Sequence, residues 1–316
     1  MTVDMPRALK ARLSRGDRVY RAVTATAAGT VLVTIVLITF FLLLAAVPAV
    51  QHAGWSFLTT THWNPDSTPA RFGIAAMMYG TIVTALIAMV VTVPVAIATA
   101  VFINEYAPRT LRGGLTTAIE VMAAIPSIIF AGWGLYVLIP FLQPIEQWAV
   151  DHLGKHVFLF QASAVGSSFF NVGLVISLMA IPITTSIVRA VLAQAPRHEC
   201  EGALALGATR WGMVRTVILP FGRTGIIGAS MLGLGRALGE TMAATLIFSF
   251  AFEIKPRIFE NGGVTIASGI ALYFKESREL GLSALMAAGA ALFLVTFVIN
   301  ILAAGVVGRA ERAAAR

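Results

Sequence analysis

Cysteine occurs once in the 316 residues, at Cys200, so no disulfide framework holds this chain together. Charge is nearly as scarce: Asp, Glu, Lys and Arg make up 12% of the residues against 58% hydrophobic ones, and mean hydropathy is +0.84. A water-soluble domain carries about 25% charged residues to cover its surface, so the composition excludes one. Also absent are a GxxxxGK[ST] phosphate-binding loop, an HExxH pair, a CxxC pair and any legible Ser/His/Asp set. The chain is therefore expected to be no enzyme. Any ATP hydrolysis its work requires falls to another chain.

Long apolar runs are what the chain has instead. Six reach the length of about 20 residues that a bilayer demands of a helix: Thr26–Val50, Met77–Ile103, Leu115–Leu142, Val172–Leu192, Gly225–Phe252 and Leu282–Val307. They are too long for barrel strands, so the expected fold is all-α and integral to the membrane. The expected organisation is a basic tail (1–25), a first helix (26–50), an outer loop (51–76), a five-helix core (77–308) and a second tail (309–316). Fifteen basic residues fall in the two tails and in the second and fourth loops, against six in the other loops. That asymmetry predicts both termini on the cytoplasmic side. The fifth loop is an exception, its four basic residues being accompanied by Glu253, Glu260, Glu276 and Glu279. The net charge of +8 is dispersed over helix ends, which argues against a nucleic-acid partner.

Several local patterns carry expectations. Arg15, Arg18 and Arg21 stand about one turn apart, suiting either a short surface helix on anionic lipid or ordinary positive-inside anchoring. Trp55 and Trp63 suit an outer membrane interface. His152 and His156 have the spacing of a two-histidine metal site, but no third ligand is near, so interfacial packing is expected there, with Glu146 and Asp151 facing solvent. Val264 to Phe274 is too short to span and reads as a re-entrant or surface segment. Pro126 and Pro182 interrupt spans, and Ser127, Thr184, Thr185 and Ser186 are candidates to line a polar path beside them or to satisfy freed carbonyls.

The fourth loop, "APRHECEGALALGATRWGMVRTVILPFGRTG", can be drawn as two short helices, Ala195–Leu206 and Thr209–Leu219, turning at Gly207. Pro220 is expected to stop the second and re-aim the chain. Its order of Glu201-Gly202-Ala203, Gly207 and Val217-Ile218-Leu219-Pro220 resembles the EAA loop of MetI-like ABC importer permeases. Gly202 and Val217 depart from that pattern while its spacing is intact. The resemblance implies a coupling helix that docks on a separate ATP-binding subunit, with Glu201, Ala203 and Gly207 at the contact.

The stretch "GLGRALGETMA" sets Arg236 and Glu240 four residues apart in an apolar run. On one continuous helix they would share a face and could pair. Intramembrane ions face a bundle interior or a watery path, so the two residues either lock helices together or serve an anion pathway. Gly235 and Gly239 form a GxxxG step that would admit another helix closely. The segment "GRALGETMAA", together with "EVMAAIPSIIFAGWGL", "SGIALYF" and the additional first helix after "GDRVYRAV", resembles phosphate importer permeases of the PstC type. Sulfate and molybdate permeases share the R-A-L-G-E part.

This resemblance covers most of the chain. It implies a bacterial plasma-membrane importer containing a second permease (PstA type), an ATP-binding dimer (PstB type) and an extracytoplasmic binding protein (PstS type). No cofactor is implied in this chain, ATP and Mg belonging to the ATPase. Arg236 would meet the oxyanion. Glu120 or Glu240 could accept the proton that phosphate keeps and sulfate lacks, and Glu120 could equally pair with a neighbouring helix. An ATP-independent secondary transporter would have no use for the cytoplasmic loop.

Overall fold

The computed structural model describes residues 14–314. Arg7, Lys10, Arg12 and Arg316 lie outside them, as do the side chains of Arg309 and Arg312.

Helix α1 (Arg15–Ala53) is followed by a single turn, α2 (Ser56–Thr59), and a hairpin of β1 (Trp63–Asn64) and β2 (Arg71–Phe72) with Trp63 opposite Phe72. Helix α3 (Ala75–Val101) ends in a π turn, Phe102–Tyr106. Next come α4 (Arg109–Ala124), then α5 (Ser127–Trp133) and α6 (Ile139–Leu153), the last two joined by a π turn. After α7 (Phe169–Leu192) and α8 (Arg197–Ala205), α9 (Arg210–Met213) passes through a π turn into α10 (Leu219–Leu238). The chain closes with α11 (Met242–Ile247), α12 (Ile266–Tyr273) and α13 (Glu279–Ala314).

Among the described residues, six helical stretches are long and apolar enough to cross a membrane: Arg15–Ala53, Ala75–Tyr106, Ser127–Leu153, Phe169–Leu192, Arg210–Leu238 and Glu279–Leu302. Lipid contact leaves no water for polar groups, so each must be met internally. The threonines of α1 obey this rule: Thr26, Thr30, Thr34 and Thr39 each donate to the carbonyl four residues back, at 2.8–2.9 Å. Lipid tails are as apolar as leucine, so the helices are held by close packing rather than by escape from water. Ala85 and Ala88 of α3 accordingly meet Val172, Val175 and Ile176 of α7 in the main core. A second cluster joins Ala46 and Ala49 of α1 to Ala284, Ala287 and Ala288 of α13 beneath the hairpin. The third gathers Val188 and Leu192 of α7 with Met213, Val214 and Ile218.

Three spans differ in their bounds from the sequence expectation. Helix α1 begins at Arg15, so Arg15, Arg18 and Arg21 belong to the first span's own helix and not to a separate surface helix. The third span is Ser127–Leu153, since Pro126 sets Ile125 in an extended conformation (ψ 130) and detaches α4, none of whose residues is buried. The fifth is Arg210–Leu238 and not Gly225–Phe252. Pro220 does not stop it, because the π turn Val214–Ile218 re-phases the hydrogen bonds just where the proline lacks its N–H. Glu146, expected in solvent, is 2% exposed in α6. His152 stacks on Trp148, ring centroids 4.9 Å apart, as interfacial packing required. The Val264–Phe274 segment forms α12, docked where Thr81 Oγ1 accepts the Ile266 N–H at 2.9 Å.

Candidate functional site

The seam between α7 and α10 gathers polar atoms that this chain leaves uncommitted. Thr184 and Thr185 of α7 are fully buried, and neither hydroxyl has a hydrogen-bond partner among the described residues. Gly233 of α10 faces Thr184: a methyl group on it would stand 2.7 Å from Thr184 Oγ1. Arg236 lies one turn beyond Gly233 on the same side of α10. It is half-buried, and its Nε is buried without a partner.

Arg236 and Glu240 do not pair. Helix α10 ends at Leu238 with Gly239 as its cap, so the four-residue spacing no longer places them on one face. Glu240, 8% exposed, instead turns its Oε1 to the N–H groups of Met242 (3.1 Å) and Ala243 (3.3 Å), opening α11. Each charge then complements a different helix end: Arg236 in the last turn of α10, and Glu240 at the start of α11. Two backbone amides offset part of the cost of burying the carboxylate. The expected ion pair is therefore replaced by a helix break that leaves the guanidinium without a carboxylate partner among the described residues.

The remaining candidates fall elsewhere. Glu120 of α4 reaches Arg189 of α7 at 3.7 Å with its side chain 57% exposed, so it pairs with a neighbouring helix, and weakly. Ser127 opens α5 and Ser186 is half-buried in α7. A methyl group on Gly235 would have no other helix within 4 Å, and one on Gly239 would meet only the Gly235 carbonyl, so the GxxxG step packs no helix of this chain. Close approach within the chain comes at Gly233, Gly225 and Gly222 instead.

In the fourth loop, α8 and α9 are joined through Gly207, whose φ of +87 only glycine adopts readily. Thr209 Oγ1 caps α9 through the Gly212 N–H at 3.0 Å. Glu201 is exposed, Ala203 is half-buried, and Leu206 projects at 91% exposure, an apolar knob with nothing in the chain to cover it. Partial burial, then Glu105, Glu199 and Glu201, push the Cys200 thiol above its ordinary range. It stays protonated at neutral pH and is a poor nucleophile.

One residue escaped the sequence reading, Arg189, and one, Glu146, was placed on the wrong side of its helix. Arg189 is the single charged residue of α7 and, standing in its last turn, reads as an ordinary helix-end charge. Glu146 has buried carboxylate oxygens that face the Asn171 side chain without a close hydrogen bond among the described residues, and its seven-residue spacing from Ile139, two helical turns, was the signal that it shares that inward face.

A broken fifth span, a helix pair turning at Gly207 and an arginine with a buried, unpartnered Nε are set on a six-span helical body, and comparison with known proteins assigns that body to the importer permeases of the ABC class. Solved structures agree on the fold. A bacterial ABC transporter for the acidic polysaccharide alginate matches with a TM-score of 0.59 at 19% identity, over 92% of this chain and 99% of that one. The inward-facing MetNI methionine transporter matches with a TM-score of 0.52 at 17% identity, over 75% and 94%. The chain belongs to the family of binding-protein-dependent transport system inner membrane components, which it matches over residues 92–315, and within it to the PstC-type permeases. The phosphate transport system permease protein PstC 2 of Mycobacterium tuberculosis is 41% identical over 93% of this chain and 92% of its own length. The PstC proteins of Xylella fastidiosa and Haemophilus influenzae are 40% and 39% identical, over 92% and 90% of this chain and 90% and 91% of their own.

Proposed function

We propose that this chain forms half of the translocation path of an ATP-driven importer of inorganic phosphate. The observation that carries the reading is Arg236, a membrane-depth cation whose nearest sequence counter-ion, Glu240, is committed to α11. A planar guanidinium matches the paired oxygens of an oxyanion, and the Thr184 and Thr185 hydroxyls on the same seam can donate to it. The relatives' name, phosphate transport system permease protein, supports phosphate over sulfate or molybdate. Glu240 would accept the proton that phosphate keeps near neutral pH, using the oxygen not engaged by α11. Glu120 is the weaker candidate for that task, since Arg189 stands against it.

The face of α10 bearing Gly228, Leu232 and Gly235 meets nothing in this chain. A second permease of the PstA type would cover it, and the path would run between the two. Helix α8, with Glu201, Ala203, Leu206 and Gly207, would dock on an ATP-binding subunit of the PstB type that holds ATP and Mg. A phosphate-binding protein of the PstS type would meet the opposite membrane face. The basic loops put both termini in the cytoplasm. ATP drives transport only through contacts that differ between inward- and outward-open states, and the docked loop is where such contacts form.

The test is uptake of labelled phosphate into proteoliposomes holding this chain, its co-purifying subunits and the binding protein. Uptake that needs ATP, ignores excess sulfate and collapses in Arg236→Gln is expected. Competition by sulfate would transfer the assignment to another oxyanion, and uptake without ATP would end the importer reading.

A further inference from the structure

A helix break and a close helix approach meet α7 at one level. Glu120 of α4 reaches Arg189, and Gly134, just past the end of α5, lies against the Val175 side chain. Fourteen residues separate Glu120 from Gly134 and fourteen separate Val175 from Arg189, so the third span keeps one antiparallel register along α7. The break at Ile125–Pro126 therefore falls opposite Thr184, the residue that Gly233 of α10 also meets. Outward of this level the third and fifth spans are packed together, Ala131 of α5 with Ala243 and Ala244 of α11. Toward the basic loops they part. No residue of α4 is buried, and the core there joins α7 to Met213, Val214 and Ala229 without it.

Arg189 stands in this widening. Helix α7 runs toward the basic loops and α10 away from them, so Arg189 lies five residues to one side of the Thr184 level and Arg236 three residues to the other. That separates them by about 12 Å along the helix axes. Thr185, one turn before Arg189 on α7, carries a buried hydroxyl without a partner among the described residues. Asn104 Nδ2 donates to Arg189 O at 2.9 Å and fixes that turn. The guanidinium is less well held, though its side chain is three-quarters buried. Glu120 Oε1 is the one carboxylate oxygen within 4.0 Å of it among the described residues. At 3.7 Å it is beyond the length of a charge-assisted hydrogen bond. So long and exposed a pair is worth little. Lipid is a poorer counter-ion still. Arg109 opens α4 eleven residues before Glu120, about 16 Å nearer the basic end, and a headgroup meets it first.

On the importer reading above, we propose that Arg189 is a second oxyanion station, between Arg236 and the cytoplasm, from which phosphate displaces Glu120 on its way out. A guanidinium takes two oxygens of a phosphate at once, whereas Glu120 holds it by one distant oxygen. Conduction needs sites that an ion can leave as well as enter. Glu120, returning to Arg189 after each passage, keeps the anion from lodging there.

The experiment uses this chain with its co-purifying subunits and the binding protein in proteoliposomes, with excess phosphate loaded inside or left out. Internal phosphate should slow wild-type uptake by occupying Arg189. Arg189→Gln should lower the maximal rate about tenfold, the scale of one hydrogen bond to a charged group. It should leave the KM for external phosphate unchanged and abolish the slowing by internal phosphate, and Arg189→Lys should keep part of both. Glu120→Gln removes the competitor, so internal phosphate should inhibit it more strongly than wild type. That variant decides the question if Arg189→Gln does not assemble, and unchanged inhibition in it would overturn the station. Wild-type uptake in Arg189→Gln, with Arg236→Gln still collapsed, would overturn it and leave the importer reading standing. Recovery of uptake in the exchange Glu120→Arg with Arg189→Glu would also overturn it, by showing that the pair only ties α4 to α7. Uptake that needs no ATP even in wild type would remove the importer reading, and the station with it.

Discussion

Arg236 and Glu240 are four residues apart and serve two different helix ends. The rule that such a pair meets on one face holds only while the helix continues, and Gly239 ends it. Glu240→Gln keeps an oxygen for the Met242 and Ala243 amides, so the protein should fold with nearly unchanged stability. Glu240→Ala removes a cap and should cost about 1–2 kcal/mol, read as earlier thermal unfolding in detergent. The charge swap Arg236→Glu with Glu240→Arg should not restore stability or uptake. If it restored both, the two residues would be paired after all, and the guanidinium would not be free for an anion. Both residues were legible in the sequence as exceptional. Their relationship was not, because it depends on where a backbone stops.

Glycine and proline show at the element scale how one residue type takes opposite roles. Gly233 lets α10 lie against Thr184, and Gly235, two positions on, faces away from every other helix of the chain. Gly233→Ala should therefore destabilise the isolated chain by about 1–3 kcal/mol through overpacking. Gly235→Ala should leave it within about 0.5 kcal/mol. A loss of the co-purifying second permease in Gly235→Ala would mark that face as the permease interface, and an unaltered complex would place the interface elsewhere. Pro126 breaks the third span, but Pro220 is absorbed by a π turn. Only the backbone before each proline distinguishes them, and residue identity does not report it.

At the scale of the whole molecule the chain is a membrane body whose loop at Gly207 carries a strongly exposed apolar side chain, Leu206. Leu206→Asp changes no contact inside the chain, since Leu206 is 91% exposed. Folding and yield should be unchanged, and co-purification of an ATP-binding subunit should be lost. Retention of that subunit at wild-type levels would locate the docking contact elsewhere. Composition and hydropathy by themselves determined the membrane class and the number of spans, though not the bounds of the third and fifth, because a bilayer demands about 20 apolar residues per crossing whatever surrounds them. Local spacing singled out Arg236, Thr184 and the loop for the same reason, polar groups being conspicuous against an apolar run. Tertiary structure alone decided that Glu240 caps α11, that Glu120 reaches Arg189 and that Glu146 turns inward. Each of these is a choice among partners brought close by packing, and a linear sequence holds the candidates without the distances that select between them.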